Sequence, residues 1–239
     1  MSAPALRIFG HASIAGVPIF SSLSFEVPAG GWSCLLGPSG VGKSTILRLL
    51  AGLDDGVDFK GEIATSDGAP LHGRVALMAQ NDLLLPWLDA LGNVILGARL
   101  RGAAPDRDRA REMLRLVGLT GHAGKKPAAL SGGQRQRVAL ARTLMEDRPV
   151  VLLDEPFSAL DARSRGLMQD LSAELLSDRT VLHITHDAAE AARLGDRVLL
   201  MTRAGISAIT PPQSATPRPY DADATLLFQG HLLRLLMAA

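Results

Sequence analysis

The densest chemistry in the chain lies at Gly37-Pro38-Ser39-Gly40-Val41-Gly42-Lys43-Ser44-Thr45. There, three glycines, a lysine and three hydroxyls fall between an apolar run and a helical pattern. Glycine lets the backbone wrap with its N–H groups pointing inward, a concavity suited to an anion. A helix opening directly behind adds positive potential at its N-terminus. In a loop of this spacing Lys43 can reach the β- and γ-phosphates of a nucleotide, and Ser44 can offer its hydroxyl to Mg2+. Average residue frequencies put such a pattern in roughly one chain of this size in a hundred by chance.

Phosphoryl transfer depends on positioning and charge neutralisation, so a phosphate loop needs acidic partners. Val150-Val151-Leu152-Leu153-Asp154-Glu155-Pro156 supplies them as an apolar strand ending in two carboxylates. Ligands bind at the carboxyl ends of strands in open α/β sheets. Asp154 is placed to hold Mg2+, directly or through water, and Glu155 to face the γ-phosphate and polarise the attacking water. Alone, such a strand end is as often merely solvated. Leu130-Ser131-Gly132-Gly133-Gln134 precedes a helical pattern running to about Glu146. Ser131 can cap that helix, and Gly132 and Gly133 allow close approach of an anion to its N-terminus. By itself this segment is also an ordinary turn.

Together these segments resemble the ATP-binding cassette (ABC) family. Gly37 to Thr45 resembles its Walker A motif, Leu130 to Gln134 its signature, and Val150 to Pro156 its Walker B. Gln80 looks like the Q-loop glutamine, Ser158-Ala159-Leu160-Asp161 the D-loop, and His186 the switch histidine, all in the family's order. The resemblance implies ATP and Mg2+ as cofactors, with Lys43, Glu155 and His186 catalytic. Ser44, Gln80 and Asp154 would be on the metal side. It implies that Ser131, Gly132 and Gly133 bind the γ-phosphate of an ATP held by a second subunit, either a second copy in a homodimer or a similar subunit. Gln134 and Asp161 join the nucleotide-binding set by their places in the signature and the D-loop. The segment from about 82 to 147 resembles the helical sub-domain that docks on membrane-spanning permease subunits.

The implied fold is α/β, a P-loop NTPase core with a mostly parallel sheet, a small antiparallel region and the inserted helical sub-domain, all in one domain over 1–239. A free-standing cassette looks like a bacterial importer subunit. It would be peripheral on the cytoplasmic face of the inner membrane and served indirectly by a solute-binding protein. Met78-Ala79-Gln80-Asn81-Asp82-Leu83-Leu84-Leu85-Pro86-Trp87-Leu88 with Asn93-Val94 resembles the nitrate/sulfonate/taurine importer group. It is also similar to ATPases proposed to import a hydroxymethylpyrimidine precursor of thiamine. Leu83 to Trp87 is either sub-domain core or a partner contact. The rival is a soluble ABC ATPase acting on ribosomes or DNA. The chain departs from the family in having no aromatic residue just before the second strand, around Ile14, to stack on adenine. Phe9, His11 and Phe20 are nearby, and apolar contact with Ile14 or Val17 could replace stacking.

These residues need a scaffold. Apolar residues are 47% of the 239 and charged residues 21%, a globular balance. About 70% of the unfolded surface should be buried at this length, ample for one core. Net charge is +1, so no bulk attraction draws the chain to nucleic acid. Strands are expected at Leu6 to Phe9, Ser22 to Val27, Trp32 to Leu36, Arg74 to Ala79, Val150 to Leu153, Thr180 to Ile184 and Arg197 to Met201. Helices are expected at Lys43 to Leu53, around Ala110 to Val117, from about Gln134 to Glu146, through Leu167, Leu171 and Leu175, and at Asp187 to Leu194. Ala208 to Tyr220 reads as a linker, and Leu226 to Met237 as a helix docked on the core. The single cysteine, Cys34, and the strand histidine, His183, read as packed core residues. The N-terminus lacks a signal-peptide pattern and no run approaches 18 apolar residues.

Overall fold

A computed structural model describes residues 3–239. Nine strands and eight α-helices follow in order among them: β1 (Leu6–Ile14), β2 (Val17–Val27), β3 (Trp32–Leu36), α1 (Lys43–Leu50), β4 (Val57–Thr65), β5 (Val75–Met78), α2 (Ala90–Val94), α3 (Leu96–Leu100), α4 (Arg107–Leu116), α5 (Gly132–Met145), β6 (Val150–Asp154), α6 (Ala162–Leu175), β7 (Thr180–Thr185), α7 (Ala188–Leu194), β8 (Arg197–Thr202), β9 (Gly205–Ile209) and α8 (Asp223–Met237). No helix among the described residues is long and apolar enough to cross a membrane.

The central sheet has the order β5-β6-β7-β3-β8-β9, parallel from β5 to β8, with β9 antiparallel at the edge. Its middle strands are buried on both faces, which is why they read as mostly apolar runs with few polar residues. Alternate residues divide between two cores. Leu35, Leu152, Leu182 and Ile184 meet α1 and the antiparallel strands. Trp32, Cys34, Leu153 and Val181 meet the helices of the opposite face, among them α5, α7 and α8.

A three-stranded antiparallel sheet, β2-β1-β4, covers α1's side. The expected strands at Leu6 to Phe9 and Ser22 to Val27 are the far ends of one long hairpin. It turns at Ala15-Gly16, both at positive φ (49° and 79°), as a two-residue primed turn requires. Strand β4 has no counterpart in the expected elements, because Lys60-Gly61-Glu62 interrupts the alternation of Val57, Phe59 and Ile63. In register, Gly61 faces Gly10 of β1. A Cβ on Gly61 would lie 2.1 Å from the Phe9 carbonyl oxygen and 2.6 Å from the Gly10 Cα. Gly61→Ala should therefore destabilise the chain by about 1–3 kcal/mol, the usual cost of overpacking, read as a lower urea midpoint. Gly121→Ala, into open space, is the control that should leave the midpoint in place.

Two other expectations need correction, and a third is met with a different buried face. The first helix stops at Leu50, because Gly52 turns left-handed (φ 70°) and the Leu53 N–H closes back onto the Arg48 carbonyl. The helix expected through Leu167, Leu171 and Leu175 is α6, with Leu171 packed on the core and Leu175 at the surface. Leu167 is exposed, and Met168, Gln169 and Ser172 face inward, with Gln169 accepting from Arg193. The segment from Ala208 to Tyr220 is no free linker. It begins inside β9, and Arg218 is buried and donates to the carbonyls of Ala192, Gly195 and Pro212. That strap leads into α8, which docks through Phe228 and Leu232 and leaves Leu226, Leu227, Leu233 and Met237 in solvent.

Candidate functional site

The phosphate loop joins the end of β3 to the start of α1. Gly40 and Gly42 adopt positive φ (82° and 102°). Gly37 is required by space instead: a Cβ there would lie 2.3 Å from the Met201 carbonyl oxygen of neighbouring β8. No side chain caps α1, so its first N–H groups stay open to a ligand. Lys43 folds back over the loop, its Nζ donating to the Gly37 and Pro38 carbonyls at 2.8 and 2.7 Å. Burial lowers its pKa, against the raising effect of Glu155 and Asp154.

Ile19, Ser39, Gly40, Gly42, Lys43, Ser44, Thr45, Gln80 and Glu155 line one cleft. Asp154 ends β6 behind it, nearly buried. Burial raises its carboxyl pKa, while a hydrogen bond from the Ser44 hydroxyl pulls it down. Glu155 follows at a left-handed φ of 48°. Both its oxygens are occupied: the Gln80 Nε2 donates to Oε2 at 3.3 Å, and the His186 Nδ1 lies 2.9 Å from Oε1. Residues 80, 155 and 186, far apart in sequence, thus meet on one carboxylate.

Ser131, Gly132, Gly133, Gln134 and Asp161 do not line that cleft. Ser131 and Gln134 close a capping box on α5. The Ser131 Oγ accepts from the Gln134 N–H at 3.2 Å, and the Gln134 Oε1 accepts from the Ser131 N–H at 2.9 Å. Ser131 and Gly132 themselves are exposed, so this helix tip faces outward rather than into its own protomer. Asp161 caps α6 by accepting from the Ser164 N–H at 2.9 Å, and that backbone hydrogen bond lowers its carboxyl pKa.

Several residues of the site have no spacing that announces them. His122 sits 3.2 Å from the Gln134 amide nitrogen, behind the capping box. Arg165 spans the two loops beside Glu155, donating to the Leu160 carbonyl at 3.2 Å and pairing with Asp187 at 3.2 Å. Glu190 accepts from the Thr185 hydroxyl, which in turn accepts from the Asp187 N–H, so the backbone on both sides of His186 is held. Burial pushes the Glu190 carboxyl pKa up, but His183, Thr185 and Arg165 together hold it below the usual range. His183 is a packed residue, as expected: it is 0% exposed, takes a hydrogen bond from the Trp32 indole at 3.3 Å and meets the Phe157 ring edge-on. Cys34 is fully buried beside it.

For a base, Phe20 is unsuitable because its ring is in the core. Ile14 and Val17 face each other at the hairpin end, 38% and 64% exposed. Ile19, which lines the cleft itself, was not among the expected contacts.

The model of the ABC transporter family matches residues 20–158. An uncharacterized ABC transporter ATP-binding protein of Haemophilus influenzae is 42% identical over 228 residues, 92% of this chain and 93% of that protein. Aliphatic sulfonates import ATP-binding proteins of Rhodococcus jostii and Delftia acidovorans are 46% and 40% identical. They align with 87% and 98% of this chain, and with 82% and 95% of their own lengths. A bacterial Atm1-family ABC exporter with ATP bound superposes with a TM-score of 0.78 at 25% identity over 99% of this chain, which spans 42% of the exporter's chain. With its phosphate loop, paired carboxylates and outward serine–glycine tip set in a fold of that kind, this chain belongs to the ABC transporter family and is an ATP-binding subunit that hydrolyses ATP.

Proposed function

We propose that the chain works as one half of a homodimer that sandwiches two ATP molecules and drives an importer for aliphatic sulfonates. The observation that carries the site assignment is the meeting of Gln80, Glu155 and His186 beside Lys43 and Ser44. In this reading the loop from Gly37 to Thr45 cradles the phosphates and Lys43 neutralises the β- and γ-oxygens. Glu155 orients and polarises the attacking water. Gln80 and His186 leave the carboxylate when a γ-phosphate arrives. Ser131, Gly132 and Gly133 close over the ATP of the second subunit, which their exposure favours.

Mg2+ fits the residues present. No group of three His, Cys, Asp or Glu among the described residues could hold a metal on its own. A metal shared with substrate phosphates needs only a hydroxyl and one carboxylate. Ser44 and Asp154, near enough for the hydroxyl to lower the carboxyl pKa, offer that pair, and Gln80 stands close by. When bound, the metal would neutralise charge on the transferred phosphoryl group. Chelation should stop hydrolysis, and added Mg2+ should restore it, as a phosphate-release assay would show.

The segment from 82 to 147 is the proposed dock for permease subunits at the cytoplasmic face of the inner membrane, with a solute-binding protein beyond them. Leu83 and Trp87 support this, being 61% and 67% exposed, whereas Leu84 packs inward. Arg142 holds this loop to α5 by donating to the Asp82 and Leu83 carbonyls. The cargo class rests on the relatives named for aliphatic sulfonate import. A host deleted for the chain should fail to grow with ethanesulfonate as sole sulfur source and grow normally on sulfate. The intact chain, and not its Glu155→Gln form, should restore growth. Equal growth of the deletion strain on both sulfur sources would remove the sulfonate assignment, and co-purification with ribosomal RNA instead of membrane proteins would remove the transport reading.

A further inference from the structure

Gln136 lies on α5, three residues beyond Gly133, and its side chain is only 5% exposed. The amide is fully used on a different part of the chain. Its Nε2 donates to the Glu155 carbonyl at 3.1 Å and to the Ser158 Oγ at 3.3 Å, and its Oε1 accepts from the Ala159 N–H at 2.8 Å. The same Glu155 carbonyl accepts from the Ser158 N–H at 3.3 Å and the Ser158 hydroxyl at 3.0 Å. On the other side, the Glu155 N–H donates to the Ile184 carbonyl at 3.0 Å. Three donors and one acceptor therefore fix the backbone of a non-glycine residue with φ of 48°. Such a conformation persists only where its surroundings over-determine it.

We propose that Gln136 is a positioning residue for Glu155. It holds the left-handed backbone that aims the carboxylate, and it ties that backbone to the helix whose tip is Ser131-Gly132-Gly133. The proposal rests on Glu155 acting on the attacking water. Its consequence is a direct link between the two ends of the chain's chemistry. A displacement of α5, when its tip engages phosphate, reaches Glu155 and the Ser158-Ala159 loop through hydrogen bonds of one side chain. Gly133 reinforces the junction, since a Cβ there would lie 3.1 Å from the Ala159 carbonyl oxygen. Helix and loop are thus in close contact also at the residue three positions before the amide.

Two variants test the role. Gln136→Met keeps the length of the side chain and removes its donors and acceptor. Gln136→Glu keeps the acceptor for Ala159 and sets an oxygen against the Glu155 carbonyl. Both are purified beside Lys43→Ala and Glu155→Gln. Each is measured for kcat, KM, affinity for a fluorescent ATP analogue and melting temperature. A catalytic group misplaced by about 1 Å can cost about 10²-fold in rate. That loss is expected in kcat for both variants with analogue affinity close to that of the unaltered chain, while the buried groups left unpaired lower the melting temperature, more in Gln136→Glu than in Gln136→Met. In a Glu155→Gln background, Gln136→Met should add nothing to the loss, because the group it positions is already disabled. Unchanged kcat, a fall confined to affinity, or full additivity with Glu155→Gln would make Gln136 a packing residue and overturn the proposal. If Gln136→Met does not fold, Gln136→Glu and Ser158→Ala, which withdraws one donor from the same carbonyl, decide by the same criteria. Should Lys43→Ala and Glu155→Gln hydrolyse ATP at the unaltered rate, the parent assignment of the site falls and the proposal falls with it. If those two are inactive and the Gln136 variants are normal, only the positioning role is lost.

Discussion

Glu155→Gln is expected to cut steady-state ATP hydrolysis by about 10²–10⁴-fold, the range supplied by a positioned acid or base, while ATP still binds. The exchange keeps the shape of the side chain and removes its charge. In the structure the two oxygens are matched to a donor from Gln80 and to the His186 ring. An amide can satisfy one of these as acceptor and must present its own N–H groups to the other. Water held at the amide would be oriented but not polarised as a carboxylate polarises it. Because the phosphate loop and the helix tip at Ser131 are untouched, closure over ATP should proceed and reopening should not. The variant with ATP should elute from a sizing column at twice the mass it shows without nucleotide. Hydrolysis at the unaltered rate would take Glu155 out of the reaction.

Lys43→Ala should give the second large effect. Removing one preorganised donor at a developing charge costs about 10²–10³-fold in kcat, and Lys43 is placed to act on two phosphates at once. Its ammonium is held buried against two loop carbonyls, with Glu155 and Asp154 the negative charges that favour its charged form. Truncation removes those two hydrogen bonds and also relieves the cost of burying a charge. The melting temperature without nucleotide should therefore move little. The separation shows when ATP is added. A ligand at a hundred times its Kd stabilises a protein by about 2.7 kcal/mol. That gain should be seen as a raised melting temperature in the unaltered chain and should be lost in the variant. An ATP-dependent rise of the same size in both would mean that Lys43 does not grip the nucleotide.

The legible part of this protein was the part built from short contiguous segments. The loop at Gly37 to Thr45, the carboxylates after Val150 to Leu153 and the serine–glycine tip each carry their spacing within about ten residues. Their supporting strands are apolar on both faces and cannot be mistaken for surface. What stayed hidden is made by contacts between distant segments. Gln136, Arg165 and Glu190 are ordinary polar residues of helical patterns, and only the packing of α5, α6 and α7 against the loops after β6 and β7 gives them partners. Strand β4 leaves no clear trace in the sequence, because Gly61, the residue that lets it cross Gly10 closely, also breaks its alternation. The segment before Tyr220 looked loose by composition. One buried arginine, Arg218, makes it a fixed strap, and a single residue leaves no periodic trace.

The left-handed backbone at Glu155 sets the interests of folding and turnover against each other. Glycine or asparagine would occupy that φ more comfortably, since a strained non-glycine conformation costs on the order of 1–3 kcal/mol, so either substitution would yield a hardier chain. With Glu155 in the role proposed for it, that chain would also be an idle one. Selection for durability alone would drift away from glutamate at this position, and only the demand for repeated cycles of work can keep it there.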